Sequence, residues 1–230
     1  MARKQPENLA LPEQISTRRK YKSASKSTLS RMQILDAAAQ IFGRRGYSDT
    51  TLRQIAEAAG MQAGSIYYHF ASKDEIFDEV LSTGMRTIHK TVEEALASLG
   101  NTASHRQRIA CAMTAHLELL LMKRDYFAPT RRLHAQVPEP LMARHRQLRL
   151  EYGKLWDSIL RAAQDAGEIR SDMKIVQLRM LILGALNWTL EWFDADQHPI
   201  DHYVEQMSRV IFEGAGARQA RRGARGRARN

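Results

Sequence analysis

The chain has 230 residues, 43% of them hydrophobic, so it is long enough to bury a substantial core in one or two domains. Its longest strongly apolar stretch, residues 180–186, is far shorter than the roughly 18 residues of a membrane span, and no secretory segment opens the chain. The single cysteine, Cys111, excludes an internal disulfide and offers no cysteine metal site. We therefore expect a cytoplasmic protein without membrane contact, metal or cofactor.

The net charge of +10 is concentrated at the two ends of the chain. Residues 1–31 hold eight Lys and Arg against two acids, and residues 218–230 hold six Arg and no acid. Two basic ends on a nearly neutral body suit contact with a polyanion such as DNA. We predict a flexible basic arm over residues 1–27 and an Arg-rich disordered tail over residues 216–230. The alternative is that these ends only keep the protein soluble.

The sequence between the two ends predicts an all-α fold, because almost every segment has helical periodicity and no useful strand pattern occurs. Ser30-x-x-Gln33 fits a capping box, so the first helix is predicted to begin at Thr28 or Ser30 and to end at Gly46. Capping residues over 49–51 open a short second helix that stops at Gly60.

A third short helix is predicted over residues 62–68, and a second capping box, Ser72-x-x-Glu75, opens a long fourth helix that runs toward Leu99. Two short helices joined by a tight turn that contains Gly60 are typical of a helix-turn-helix. In that motif the second short helix projects from the body and enters a DNA major groove about 12 Å wide.

Residues 32–79 carry motifs that make this prediction specific. In order and without a gap they are Gly46-Tyr47, Thr50-Thr51-Leu52-x-x-Ile55-Ala56-x-x-Ala59-Gly60 and Gly64-Ser65-Ile66-Tyr67-Tyr68-His69-Phe70-x-Ser72-Lys73. This segment resembles the DNA-binding head of the TetR family of transcriptional regulators. The resemblance implies a DNA-binding domain over residues 28–88, with its helix-turn-helix at 51–70, and a ligand-binding and dimerisation domain over residues 89–215.

The resemblance also implies a set of DNA contacts. Arg53 is long enough to reach a guanine edge or a phosphate, and Lys73 adds its charge to the amino end of the fourth helix. The full set is Thr51, Arg53, Gln62, Ala63, Gly64, Ser65, Tyr67, Tyr68, His69 and Lys73. Ile66 and Phe70 are expected in the core of the head. The alternatives are that Tyr67 lies half in that core and that His69 is a packed histidine.

The rest of the chain is predicted to form helices at about 104–122, 124–135, 140–166, 173–193 and 201–214. The helix over 173–193 is apolar nearly all round, so it must be buried on several sides. Packing of the last two helices against a second copy would bury it, and the resemblance implies this form of homodimer. Two DNA-binding heads about one helical turn apart would then read a palindromic operator.

The stretch Asn187-Trp188-x-x-x-Trp192-Phe193, preceded by Gly167-Glu168-Ile169-Arg170-Ser171-Asp172, is similar to a subgroup of the family that responds to acyl-CoA thioesters of fatty-acid or steroid breakdown. A small-molecule effector of acyl-CoA or other lipid-like chemistry is therefore predicted. The candidate ligand residues are Met113, His116, Leu117, Leu120, Trp156, Met180, Trp188 and Trp192. The alternative is that the two tryptophans pack the dimer interface and that the other residues form a core stripe.

Two other classes of protein compete with a ligand-released repressor. An enzyme is disfavoured, because the chain has neither a Gly-rich phosphate loop nor a nucleophile elbow, and His116-x-Glu118 lacks the Pro-Cys-x-x-Cys partner of zinc deaminases. A non-specific architectural DNA-binding protein that uses the basic ends stays open, as does a multidrug-type sensor of the same fold. An architectural protein predicts steeply salt-dependent binding with little sequence preference.

Overall fold

The computed structural model describes residues 26–128 and 137–214, and within these ranges the chain is helical with no strand. Its elements are α1 (Lys26–Arg45), α2 (Leu52–Ala58), α3 (Ala63–Tyr67), α4 (Lys73–Ser98), α5 (His105–Met122), α6 (Arg124–Phe127), α7 (Glu139–Asp165), α8 (Ile175–Trp192) and α9 (Ile200–Glu213). The all-α prediction is confirmed. The C-terminal tail, nearly all of the basic arm and the end of the helix predicted over 124–135 lie outside the described residues.

The first three helices and the first half of α4 form the head. Their apolar faces meet in one core cluster, which contains Ile34, Leu35, Ala38, Ala39, Phe42, Ile55, Ala56, Ile66, Phe70, Ile76, Phe77, Val80 and Leu81. Ile66 and Phe70 are buried there, as predicted. The backbone of Gly60 has a φ of +67°, which allows the tight turn that brings α3 back against α2.

The body is built from α5, α7, α8 and α9 around the second half of α4. Ile88 and Val92 of α4 belong to the body core, whereas Phe77 and Val80 of the same helix belong to the head core. The domain boundary predicted between residues 88 and 89 therefore falls inside one continuous helix. One helix, α4, is therefore shared by both cores.

Local sequence signals account for most of the helix ends. The side chains of Thr51, Ser72 and Ser104 accept hydrogen bonds from backbone N–H groups in the first turns of α2, α4 and α5. Gly46 ends α1 with a φ of +82°, the left-handed conformation that the sequence predicts. No helix of the described residues is long and apolar enough to cross a membrane.

The prediction that α1 begins at Thr28 or Ser30 is wrong. The helix already includes Lys26, so Ser30 lies inside it and is not a cap. A capping box is a local preference of about 1 kcal/mol, so it does not by itself fix where a helix begins. Just after Ser30, the Arg31 guanidinium lies 4.5 Å from the ring centre of Phe70 and 3.5 Å from the carboxylate of Glu79. These contacts hold the second turn of α1 against the head.

Candidate functional site

The surface of α3 and its flanking residues is exposed and rich in groups that suit DNA. Five residues with exposed side chains or backbone line it: Gln62, Ala63, Gly64, Ser65 and Tyr67. Tyr67 is 63% exposed and the adjoining Tyr68 is 82% exposed, although large aromatic residues ordinarily bury most of their surface. Tyr67 is thus placed outside the head core, and the pair presents aromatic hydroxyls to an incoming partner.

The residues that flank α3 differ in whether their side chains already make hydrogen bonds within the protein. Thr51 uses its hydroxyl to cap α2, whereas Gln62, at the N-cap position of α3, makes no side-chain cap hydrogen bond. Arg53 on α2 is exposed, and His69 is half-buried with its ring edge-on to Tyr68 at 5.1 Å. The amide of Gln62 therefore remains available for a base edge, in the way that amide side chains read adenine.

Lys73 is held in place at the amino end of α4. Its Nζ donates a hydrogen bond to the backbone carbonyl of Tyr47 at 2.9 Å and lies 4.3 Å from the centre of the Tyr47 ring. The Tyr47 hydroxyl donates in turn to the carboxylate of Asp74. Burial and this carboxylate raise the pKa of Tyr47 to about 12, so the phenol stays protonated. An ammonium fixed beside a helix N-terminus is suited to a phosphate.

Sequence reasoning included Lys73 but missed the role of Tyr47. The only signal was the Gly46-Tyr47 pair within the resemblance, and nothing in the spacing indicates that residues 47 and 73 meet. The structure brings them together because Tyr47 packs against the rings of Phe42 and Phe77, with ring centres at 6.3 Å and 4.9 Å. The aromatic core of the head thus positions the cation at its edge.

A second candidate site lies in the body, where a polar cluster reaches from the buried His116 to the exposed Asn187. His116 of α5 is 2% exposed; its Nδ1 lies 2.8 Å from the Tyr152 hydroxyl and its Nε2 lies 3.2 Å from Oδ1 of Asn187. Burial lowers the pKa of His116 to about 4, so the ring is neutral at pH 7. We call His116, Tyr152, Asn187 and the adjacent Trp156 the His116 cluster.

Five of the eight predicted ligand residues belong to this cluster or to the body core that contains Tyr152 and Trp156. Met113, Leu117 and Leu120 are buried on α5, and the Trp156 ring lies edge-on to His116 at 6.3 Å. Sequence reasoning missed Tyr152 and Asn187 as members of the site. Their hydrogen bonds join α5 to α7 and α8 across 36 and 71 residues of sequence, a pairing that helical periodicity cannot reveal.

The other three predicted ligand residues are placed elsewhere. Met180, Trp188 and Trp192 are 55%, 62% and 49% exposed on the outer face of α8, and they do not join the His116 cluster. Helical periodicity explains this, because Asn187 faces His116 and its neighbour Trp188 must point away. With Val176 and Leu181 these three residues form an exposed apolar surface, which we call the α8 stripe.

Comparison with known proteins agrees with this architecture. Residues 34–80 match the model described as "Bacterial regulatory proteins, tetR family", and residues 102–215 match "Tetracyclin repressor-like, C-terminal domain". The chain is similar to the transcriptional repressor KstR2 of Rhodococcus jostii, at 28% identity over 80% of this chain and 90% of that protein. It is also similar to the fatty acid metabolism regulator protein of Bacillus subtilis, at 26% identity over 72% of this chain and 84% of that protein.

A solved structure gives the same fold. The regulator FadR of Bacillus subtilis, in complex with stearoyl-CoA, superposes with a TM-score of 0.66 at 24% identity, covering 80% of this chain and 99% of that chain. Both halves of the chain match tetR-type family models, and the structure has a helix-turn-helix head on a helical body. The chain belongs to the TetR family of transcriptional regulators.

Proposed function

We propose that this regulator is a cytoplasmic, ligand-released repressor that binds a palindromic operator as a homodimer. The observation that carries the proposal is the exposed face of α3, where Tyr67 and Tyr68 stand in solvent beside the fixed ammonium of Lys73. On DNA, α3 would enter the major groove while Lys73 and Arg53 contact the backbone or a guanine edge. The small residues Ala63 and Gly64 would let the helix approach the base edges closely.

The α8 stripe supports the dimer. An exposed apolar surface of this kind marks an interaction site in soluble proteins, and a second copy presents the same surface for two-fold pairing. Val210 of α9 is also exposed and would extend the contact. Such a dimer would hold its two α3 helices at a fixed separation, as recognition of half-sites about one DNA turn apart requires.

A lipid-derived acyl-CoA is the effector class that we propose. A relative named for fatty acid metabolism and a protein of the same fold that holds stearoyl-CoA support this class. Binding within the body would displace the second half of α4, and the shared helix would move the head. The driving force is the difference in effector affinity between the DNA-binding and released states.

The test begins with selection of DNA sequences from a random pool by the full chain. The proposal expects a palindrome that binds more than a thousandfold more tightly than random DNA at the same salt concentration. Equal affinity for both would instead support architectural binding by the basic ends. The selected operator is then titrated with stearoyl-CoA, stearate and coenzyme A; an operator affinity unchanged by saturating stearoyl-CoA would refute release by this effector class.

A further inference from the structure

We infer that the basic arm at the amino end of the chain binds the phosphates of the DNA that flanks each half-site, and that the Arg-rich tail does not. Both ends are rich in cations, so their composition alone does not separate them. The structure separates them by the places at which they continue from the described residues. The inference rests on the proposed function, which takes the exposed face of α3 as the surface that meets DNA.

The helix-turn-helix itself supplies few cations for DNA. Residues 51–75, which include α2, α3 and the start of α4, hold only Arg53 and Lys73 as basic residues, against three acids. Affinity for DNA comes largely from the counterions that are released when Lys and Arg side chains neutralise phosphates. A helix-turn-helix with fewer cations than acids therefore gains affinity from a basic segment that starts beside it.

The basic arm continues from a point beside the α3 surface. Arg31, in the second turn of α1, has its guanidinium 4.5 Å from the ring centre of Phe70, which lies between α3 and α4. Lys26, the first residue of α1, is five residues earlier, or about 7.5 Å along the helix axis. The nearest cation of the arm, Lys22, is four residues before Lys26 and so lies within about 14 Å of it.

The Arg-rich tail continues from the opposite end of the molecule. The 26 residues of α4 (Lys73–Ser98) span about 39 Å from the head into the body. Just beyond its carboxyl end, the carbonyl of Gly100 accepts a hydrogen bond from Arg108 of α5 at 3.1 Å. The guanidinium of Arg106, near the start of α5, pairs with Glu213 at 3.0 Å. The end of α9 is therefore fixed near the end of α4 that is remote from the DNA.

The distance along α4 decides between the two ends. Arg218, the first cation of the tail, is four residues after Gly214 and so lies within about 14 Å of it. A chain would need about eleven fully extended residues to span the length of α4 back to the head. Conformational entropy opposes such extension. The cations of the arm therefore have a short path to DNA, and those of the tail do not.

Two variants that remove equal charge provide the test, and both leave every described residue unchanged. The arm variant replaces four basic residues with Gln: Arg18, Arg19, Lys20 and Lys22. The tail variant replaces four others with Gln: Arg221, Arg222, Arg225 and Arg227. Because the two variants have the same net charge, any difference between them depends on where the charge was removed.

The DNA probes are two duplexes that carry the selected operator, one without flanks and one with about eight base pairs of unrelated sequence, or roughly 27 Å, at each end. Fluorescence anisotropy over a series of NaCl concentrations measures binding. The wild type should bind the flanked duplex at least about tenfold more tightly, with a salt slope steeper by about 0.9 for each added phosphate contact. The arm variant should bind both duplexes equally, and the tail variant should behave as the wild type does.

Directed cleavage locates the two ends independently of affinity. In full-length protein with Cys111→Ala, which removes the native thiol, an iron–EDTA group is attached to Ser23→Cys or to Ala217→Cys. The group on the arm should cut the DNA that flanks each half-site. The group on the tail should leave the same DNA uncut.

Two results would overturn the inference while leaving the repressor proposal intact. One is equal affinity of the wild type for the two duplexes. The other is an equal loss of affinity for the flanked duplex in the two variants, which would mean that net charge alone controls binding. If the wild type selects no palindrome and binds random DNA as tightly, the proposed function fails, and the inference fails with it.

Discussion

The Lys73 ammonium carries three donors, and only one of them is engaged with the Tyr47 carbonyl, so donors remain for a DNA phosphate. Lys73→Gln should therefore weaken binding to operator and random DNA alike. Loss of one phosphate contact per subunit lowers the slope of log affinity against log salt concentration by about 0.9 for each copy. Fluorescence anisotropy with labelled operator over a series of NaCl concentrations measures the slope.

Lys90→Gln is the matched control for this prediction. Lys90 lies on the same helix, its side chain is 73% exposed, and it pairs with Glu94 one turn away. The substitution removes the same charge far along α4 and should leave the slope nearly unchanged. An equal loss of slope in both variants would mean that net charge, and not a phosphate contact at Lys73, controls the affinity.

The buried histidines predict a loss of stability in acid. Burial lowers the pKa of both His116 and His145 to about 4, from 6.5 in the unfolded chain. Between pH 4 and 6.5 the unfolded state therefore binds more protons than the folded state does. The contribution of each neutral histidine to stability is fully present above pH 6.5 and is lost as the pH falls toward 4. The free energy of unfolding should fall by on the order of 1 kcal/mol per pH unit for each histidine in that window.

Urea denaturation at pH 7, 6 and 5 measures this dependence. His145→Leu is an informative variant, because Nδ1 of His145 is buried without a hydrogen-bond partner among the described residues and an apolar side chain leaves no polar atom unpaired. The variant should lose roughly half of the histidine contribution to the pH dependence. A dependence identical to that of the wild type would show that His145 is exposed to protons in the native state.

The sequence predicted the burial of a residue well where the periodicity of a single helix determines which face the residue lies on. Ile66 and Phe70 are in the core because the helical period places them on the inner face of the head. The partners of His116 were not predictable in this way, since Tyr152 and Asn187 come from two other helices. Such pairings depend on how helices pack, which periodicity leaves open.

At the scale of elements, the short helix α6 links the body to the head. The guanidinium of Arg124 donates to the carbonyl of Leu190 near the end of α8, and the Tyr126 hydroxyl donates to the carboxylate of Asp36 on α1 at 2.7 Å. One short segment therefore contacts both the helix of the α8 stripe and the first helix of the head. The sequence predicted a helix from residue 124, but it did not indicate these contacts.

A double-mutant cycle tests the strength of this link. Tyr126→Phe and Asp36→Asn should each destabilise the protein, and the pair should show a coupling free energy of about 1.5–3 kcal/mol, as expected for a hydrogen bond to a charged group. Urea denaturation of the wild type, the two single variants and the double variant provides the four values. Strictly additive effects would mean that Tyr126 and Asp36 contribute to stability independently of each other.

At the scale of the whole molecule, the sequence indicated that α8 must be covered on several sides. In the structure the body core covers one face of α8, and the opposite face is left exposed. Leu178, Ile182 and Leu186 are buried in the body core. The α8 stripe on the opposite face stays exposed in a single chain, with Leu181 and Trp188 each 62% exposed. The sequence could predict an apolar helix but not which of its faces remained for a second copy, because that depends on how α5 and α7 pack against it.

A charge in the stripe should therefore separate the two copies of the proposed dimer. Leu181→Lys would bury a positive charge from each copy in the proposed interface, whereas Leu150→Lys, on the outer face of α7 and 53% exposed, places the same charge outside the stripe. Sedimentation velocity should give a dimer for the wild type and Leu150→Lys, and at least a tenfold weaker association for Leu181→Lys. Operator affinity should fall in parallel, because a monomer engages only one half-site. If Leu181→Lys remained dimeric and bound the operator normally, the two copies would have to meet through another surface, and the α8 stripe would need a different partner.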